Sequence, residues 1–319
     1  MDNICHTLVG VAVARAGLSK TTRYATVTSA IAANLPDIDV LVFLTDVPSV
    51  AFRRGITHGV PAQILLPLLF AGLLWWIGRR ADARGRPGPR AHFGWLLALS
   101  YIGVLTHVGL DFLNTYGIRL LSPISQRWFY GDAVFIVDVW LWLVLGAGVW
   151  LARRRRPGYA AVALGIATLY IVAMLGSARV ARRIVLDAWV ATRGEAPRAL
   201  MVGPVPVNPF RKSIIVDAGE AYYQGTFEWF PSRVTFDPVP TPKNDDLPAV
   251  AAARADPVVQ GILVWSRFPA WTIREIQGGT EVRLRDMRFR GVDRGGFTAT
   301  TVVADPLPRE DQRPGTIYR

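Results

Sequence analysis

The chain has 319 residues, 51% apolar and 19% charged, with a net charge of +12. That length accommodates two domains. No basic helix or aromatic-interleaved basic patch accompanies the charge, so nucleic acid is not an expected partner, and the single cysteine, Cys5, excludes an intrachain disulfide and a thiolate metal cluster.

In chain order, residues 4–18 read as a short apolar helix that either crosses or re-enters a membrane. Residues 24–44 are long enough to span, but Pro36, Asp37 and Asp39 interrupt them. Such a break is tolerated at membrane depth where it lines a cavity inside the protein. Four further runs, 60–78, 94–113, 133–152 and 158–176, approach or reach the ~20 residues that a membrane helix needs. Residues 178–192 read as a helix leading away from the last run. Short strand-like runs follow at 212–216, 225–229, 258–266, 271–276, 281–289 and 297–303. "EVRLRDMRF" alternates apolar and polar residues, and "QGGTE" before it reads as a hairpin turn. Pro238, Pro240, Pro242 and Pro248 mark an irregular linker.

The expected fold is therefore an all-α polytopic membrane domain over 1–176, with about four full spans plus two N-terminal short or broken helices. A smaller β-rich extracytoplasmic domain follows over 177–319. No charged leader with a short apolar core and small-residue cleavage site is evident, so no removable signal peptide is expected.

Orientation follows from the basic residues. Lys20 and Arg23, the run Arg79 to Arg90, and Arg153 to Arg156 fall in alternate loops. Placing all three inside is consistent with the tendency of Lys and Arg to stay cytoplasmic. His6, Asp37, Asp39, His58, His107 and Asp111 then gather at the opposite, outer side. An ionisable residue in hydrocarbon costs at least ~2.5 kcal/mol and is a functional candidate by default. In "LTHVGLD", His107 and Asp111 are four apart and share one helical face. In "LPDID", the proline break lets two carboxylates turn toward a common point. Three His and three Asp form an N/O donor set that suits zinc, manganese, iron or magnesium, as one or two ions. Asp37 is alternatively a helix cap, a reading that leaves Asp39 unexplained. His92 falls in the inner loop and is excluded.

Arg53 and Arg54 are candidates to clamp an anionic oxygen, or else an interfacial pair beside headgroups. Asn114, Tyr116, Ser122, Ser125 and Asp132 crowd the following outer loop, where some are expected to orient ligands. Asp138 is expected to hydrogen-bond a ligand histidine, with structural pairing as the alternative.

"MDNICHTLVG", "NLPDIDVL", "RRGITHG", "LTHVGLDFLNTYG" and "SPISQRWFYGDAVFIVD" resemble, in order and spacing, the YdjM-type inner-membrane metal-dependent hydrolases. The resemblance covers residues 1–150; the tail looks like that of longer members. It implies a bacterial inner-membrane protein with hydrolase activity. A looser likeness is to bacterial zinc-dependent phospholipase C, which cleaves phosphodiesters with clustered zinc ions. The chain lacks the histidine complement of a three-zinc site, which leaves one or two ions, zinc foremost.

The expected function is metal-dependent hydrolysis of an ester or phosphoester of a lipid or lipid-linked substrate. The metal site and C-terminal domain would face the periplasm. His6, Asp37, Asp39, His58, His107 and Asp111 are the expected ligands, Asp39 the general base, and Arg54 the stabiliser of developing negative charge. The competing readings are a non-catalytic divalent-metal binding or transport protein, and a membrane scaffold for the outer domain.

Overall fold

The computed structural model describes residues 1–45, 47–289 and 297–304. The chain divides into two compact units, Met1–Pro240 and Thr241–Arg319.

The first unit begins with α1 (Asn3–Val13), capped by the Asp2 carboxylate on the backbone N–H groups of Ile4 and Cys5. A widened turn, Ala14–Leu18, continues it. Next comes α2 (Ala25–Ala32), then a tighter helical stretch, Leu35–Leu44, bent from it by 53°. Pro36 at the start of that stretch lacks an N–H and cannot continue α2. Then follow the short α3 (Ser49–Phe52), one tight turn Ile56–His58, α4 (Val60–Ala83), α5 (Phe93–Phe112), α6 (Val139–Arg154) and α7 (Gly158–Arg193).

Among the described residues, α4, α5 and α7 are long and apolar enough to cross a membrane, and the bent pair around Leu35 makes a fourth if counted as one span. The expected run 133–152 is only partly helical. Asp138 accepts from the N–H groups of Trp140 and Leu141 and so starts α6 at Val139, leaving a 16-residue helix. Residues 158–176 and 178–192, distinct in the sequence, form one helix of 36 residues. At 1.5 Å per residue it is ~54 Å long, well beyond the ~30 Å hydrocarbon core.

Its surplus length packs on protein. Ala181, Val185 and Trp189 bury themselves against Leu200, Val202, Ile214, Val216 and Phe227. These belong to an antiparallel sheet of β1 (Ala199–Pro204), β2 (Arg211–Asp217), β3 (Ala221–Trp229) and β4 (Ser232–Phe236), in that spatial order. The sheet buries one face on α7, in keeping with the alternation along β3.

The second unit holds β5 (Thr241–Pro242), α8 (Pro248–Ala253), α9 (Pro257–Trp265) and an antiparallel meander, β6 (Pro269–Ile276), β7 (Gly279–Asp286) and β8 (Thr298–Ala304). The expected hairpin turn is made by Gln277 and Gly278, with Gly278 in left-handed backbone at φ +87°. Residues 258–266 were expected as a strand and are instead α9. Asp256 accepts from the N–H groups of Val258 and Val259, and Pro257 occupies the first turn, a start signal that overrides the β-branched content. Residues 290–296 and 305–319 of the expected C-terminal domain lie outside the described residues.

Candidate metal centre

α5 turns one face inward at Leu96, Leu99, Ser100, Gly103, Val104, His107, Val108 and Asp111, a spacing of three and four that carries the polar pair onto the buried stripe. α2 lies close against that stripe. A Cβ at Gly103 would stand 2.6 Å from Ala32 Cβ and 2.8 Å from Ala33 N, so only glycine allows this approach. The approach brings the Ala33 carbonyl to 2.8 Å from His107 Nδ1. His107 therefore donates from Nδ1 and keeps a lone pair on Nε2.

His58 is placed from the opposite side by the turn before α4. Gly59 passes so near the Ser122 carbonyl that a Cβ would lie 2.0 Å from its oxygen. His58 Nδ1 lies 2.9 Å from Thr57 Oγ1 and 3.5 Å from Asp39 Oδ2. Thr57 Oγ1 and the Arg54 N–H donate to that same Asp39 oxygen, at 3.1 and 2.8 Å. The carboxylate thus favours a proton on His58 Nδ1 and frees Nε2. Burial pushes the His58 pKa below its ordinary value, against the pull of the Asp111 carboxylate.

The two free nitrogens meet. His58 Nε2 and His107 Nε2 are 3.1 Å apart, and Asp111 Oδ2 lies 3.5 and 3.6 Å from them. Asp37 Oδ1 is 3.9 Å from each nitrogen. Asp37, His58, His107 and Asp111 offer one ligand atom apiece, all within 4.8 Å of one another. Two imidazole nitrogens and two carboxylate oxygens thus converge in a buried site, with Arg53 and Arg54 partnering the two carboxylates. The donor set and its outward-facing second nitrogens fit a divalent metal.

Other expected residues surround this cluster. His6 is fully buried, stacked on His107 with ring centroids 3.8 Å apart, and its Nε2 is 3.3 Å from Asp111 Oδ1. It adjoins the four ligand atoms without being one of them. Asp39 sits behind His58. Arg54 grips Asp111 with two parallel contacts, Nε to Oδ2 and Nη2 to Oδ1, each 2.9 Å. The α-amino group of Met1 also contacts Asp111 Oδ1. Arg54 is held in left-handed backbone at φ +54°, a conformation costing ~1–3 kcal/mol for a non-glycine residue. Arg53, partly exposed, lies 3.3 Å from both Asp37 Oδ1 and Asp39 Oδ1.

Of the loop residues, Asn114 accepts from Arg54 Nη1 and from the Tyr116 N–H, and the Tyr116 ring lies 4.5 Å from the Arg54 guanidinium carbon. Ser125 accepts only a local bond from the Arg127 N–H among those described. Asp138 departs from expectation: it caps α6 and accepts from Tyr170 Oη at 3.0 Å rather than reaching a ligand histidine. His92 precedes α5, at the end of that helix opposite His107.

The sequence reading missed Thr57, the Ala33 carbonyl and Arg119. Thr57 had a signal, its place next to His58. Arg119 donates to the carbonyls of Ala51, Phe52 and Arg53 and so ties down the segment that carries Arg54. A backbone carbonyl leaves no mark in sequence.

The chain is 25% identical over 291 residues to "Uncharacterized protein YfhP" of Bacillus subtilis (strain 168), covering 89% of this chain and 83% of that protein. No solved structure matches. The profile of the family described as YdjM inner membrane protein matches residues 1–180, more than half of the chain, and places in one family the helices that bring His58, His107, Asp37 and Asp111 together: the chain belongs to the YdjM inner membrane protein family.

Proposed function

We propose that this multi-pass membrane protein is a metal-dependent hydrolase that cleaves an ester or phosphoester of a lipid or lipid-linked substrate. The carrying observation is the 3.1 Å approach of His58 Nε2 and His107 Nε2 beside Asp111, with both Nδ1 atoms turned away to acceptors. Zinc is the first candidate for this N/O set, with manganese or iron next. Asp37, His58, His107 and Asp111 would hold the divalent cation, which when bound would supply Lewis-acid polarisation of the scissile group and activation of a water.

The chain's own residues do the rest. The Ala33 carbonyl and Asp39 hold the two imidazoles in the tautomer that presents Nε2. Arg54 fixes Asp111 and balances its charge. Arg53, the more exposed of the two arginines, is placed to meet an anionic substrate oxygen. Of the two residues expected to be catalytic, Asp39 and Arg54, this geometry favours positioning roles. Asp37, near the exposed arginine, is the better-placed base. The charge distribution along the loops supports a periplasm-facing site and C-terminal region, and a site at a bilayer surface suits a lipid substrate.

The second reading is a structural polar core, which the twofold grip of Arg54 on Asp111 favours. Elemental analysis of detergent-purified wild type beside His107→Ala separates the two. One or two equivalents of a divalent metal, lost in the variant, support the hydrolase reading and lead to turnover assays on phospholipids and phosphodiesters. A wild type that stays metal-free after incubation with zinc, manganese and iron refutes it. Bound metal without turnover on any ester or phosphoester leaves a metal-binding protein.

A further inference from the structure

Away from the metal centre, one buried cation has no hydrogen-bond partner among the described residues. Lys212, on β2, is fully buried, and its Nζ makes no hydrogen bond among the described residues. Burial pushes its pKa down to about 8, with the Asp138 carboxylate pulling the other way. Three N–H donors stripped of water and left unmatched are costly. Lys212 lines a niche with Asp138 at the start of α6, Tyr170 on α7 and Asn208 in the β1–β2 loop. The niche has about 10 Å³ of free room, the size of one water or one phosphate oxygen.

Below it runs a wholly apolar groove of about 330 Å³ between α6 and α7, walled by Leu141, Val144, Ile166 and Ala167 and topped by Phe210. Niche and groove share three walls, Trp140, Tyr170 and Pro209. Trp140 Nε1 donates to the Val207 carbonyl at 2.8 Å, which pins the β1–β2 loop over the head of α6. Ile166 is 49% exposed and Phe210 55%, so the groove opens on the face that a bilayer would cover. α7, which forms one wall, is among the helices able to cross a membrane.

We propose that this is a phospholipid site: one acyl chain lies in the groove between α6 and α7, and one phosphate oxygen of the same lipid occupies the niche at Lys212. The chemistry at the two ends matches the two ends of one molecule. An oxyanion meets the ammonium left without a hydrogen bond, and a hydrocarbon chain meets walls without polar surface. The site locks the sheet to the helix pair through a bound lipid, and it stands independently of the metal-centre reading.

The test is native mass spectrometry of the delipidated full chain titrated with three probes: palmitoyl-oleoyl phosphatidylglycerol, dioleoylglycerol, and inorganic phosphate as competitor. Phosphatidylglycerol is expected to bind at least tenfold more tightly than dioleoylglycerol, and millimolar inorganic phosphate not to displace it. Lys212→Met is expected to reduce phosphatidylglycerol binding to the dioleoylglycerol level, and Val144→Trp to weaken both lipids. Equal binding of the two lipids to wild type, or no effect of Lys212→Met, overturns the proposal and leaves a niche that holds water. Displacement by inorganic phosphate overturns it in favour of a free-anion site. Should either variant fail to fold, wild type is labelled with phosphatidylglycerol bearing a photoactivatable acyl chain. Adducts are expected in residues 141–144 and 166–170, suppressed by excess unlabelled phosphatidylglycerol. Adducts spread evenly along every lipid-facing helix overturn it.

Discussion

At the candidate metal centre, ring nitrogens and carboxylate oxygens from four residues crowd within 4.8 Å of one another, with Arg53 against Asp37, and Arg54 and the Met1 α-amino group against Asp111. At the junction of α6, α7 and β2 the balance is reversed: an ammonium is buried with no hydrogen-bond acceptor among the described residues. Both clusters lie in the same compact unit and both include a carboxylate, Asp111 or Asp138. They differ in what the surrounding backbone consumes. The Asp138 carboxylate is used up by the N–H groups of Trp140 and Leu141 and by the Tyr170 hydroxyl. Asp111 meets Arg54 and both ligand imidazoles, its lone pairs shared rather than spent. Which polar groups are left over therefore decides what each place binds, and the residue types present decide less.

The sharpest way to break this contrast is to remove Asp111. Asp111→Ala strands the guanidinium of Arg54, which is 4% exposed, with Asn114 and the Gly117 carbonyl as its remaining hydrogen-bond partners among the described residues, beside the Tyr116 ring. Removing one partner of a buried pair costs ~3–5 kcal/mol. Thermal unfolding in detergent is expected to show a loss of that size even with metal stripped by chelator. A loss under ~1 kcal/mol would place the Asp111–Arg54 contact in the range of solvent-exposed pairs instead.

Lys212 allows the converse test through pH. Its folded pKa of about 8 lies below the ordinary lysine value of 10.5. Between those two values the unfolded chain holds a proton that the folded chain has released, so wild-type stability rises with pH through the window. Below pH 8 the penalty is fully present, ~3 kcal/mol at 1.36 kcal/mol per unit. The facing groups are Asp138 from α6 and Tyr170 from α7. Lipid-free wild type is expected to gain stability relative to Lys212→Met from pH 8 to 10. Adding phosphatidylglycerol should move that gain to higher pH, because an oxyanion holds the proton on Lys212. Parallel pH curves for the two proteins would mean that Nζ is hydrated in the folded state.

These differences also explain what the sequence revealed. Candidate metal ligands carry their chemistry in their side chains, so His58, His107, Asp37 and Asp111 stand out as ionisable residues in or beside apolar runs. The loop charges then suggest their convergence. Asp39 stands out equally, but its position behind His58 depends on how the segment after Pro36 turns, which composition does not encode. Lys212 begins a run expected as a strand and drew no notice, because a lysine at a strand start is ordinarily solvated. Its burial follows from α7 continuing past the apolar run 158–176 to cover the sheet. The end of an apolar run marks where hydrocarbon stops and says nothing of where a helix stops. The same limit explains α9, where a capping aspartate and a proline outweighed β-branched residues.

Asp39→Asn probes the middle of the scale. If Asp39 acts by holding His58 Nδ1, its loss weakens metal binding ~10–100-fold without abolishing it. Competition with a zinc chelator would measure this. Complete loss, equal to that of His107→Ala, would return Asp39 to the ligand set. Unchanged affinity would mean that Thr57 alone sets the His58 tautomer.

The smallest expected effect tests whether the Lys212 niche is built by charge or by shape. Tyr170→Phe deletes the hydroxyl that donates to Asp138 at 3.0 Å and leaves the ring as a shared wall of niche and groove. Asp138 keeps both backbone partners at the head of α6, so the cost is that of one hydrogen bond, ~1 kcal/mol. Phosphatidylglycerol affinity is expected to stay within threefold of wild type, since neither the ammonium nor the apolar walls have changed. A loss as large as that of Lys212→Met would show that the Asp138–Tyr170 pair shapes the niche, with the lysine charge secondary. The contrast between the two clusters would then narrow, because both would depend on a carboxylate held in place by its neighbours.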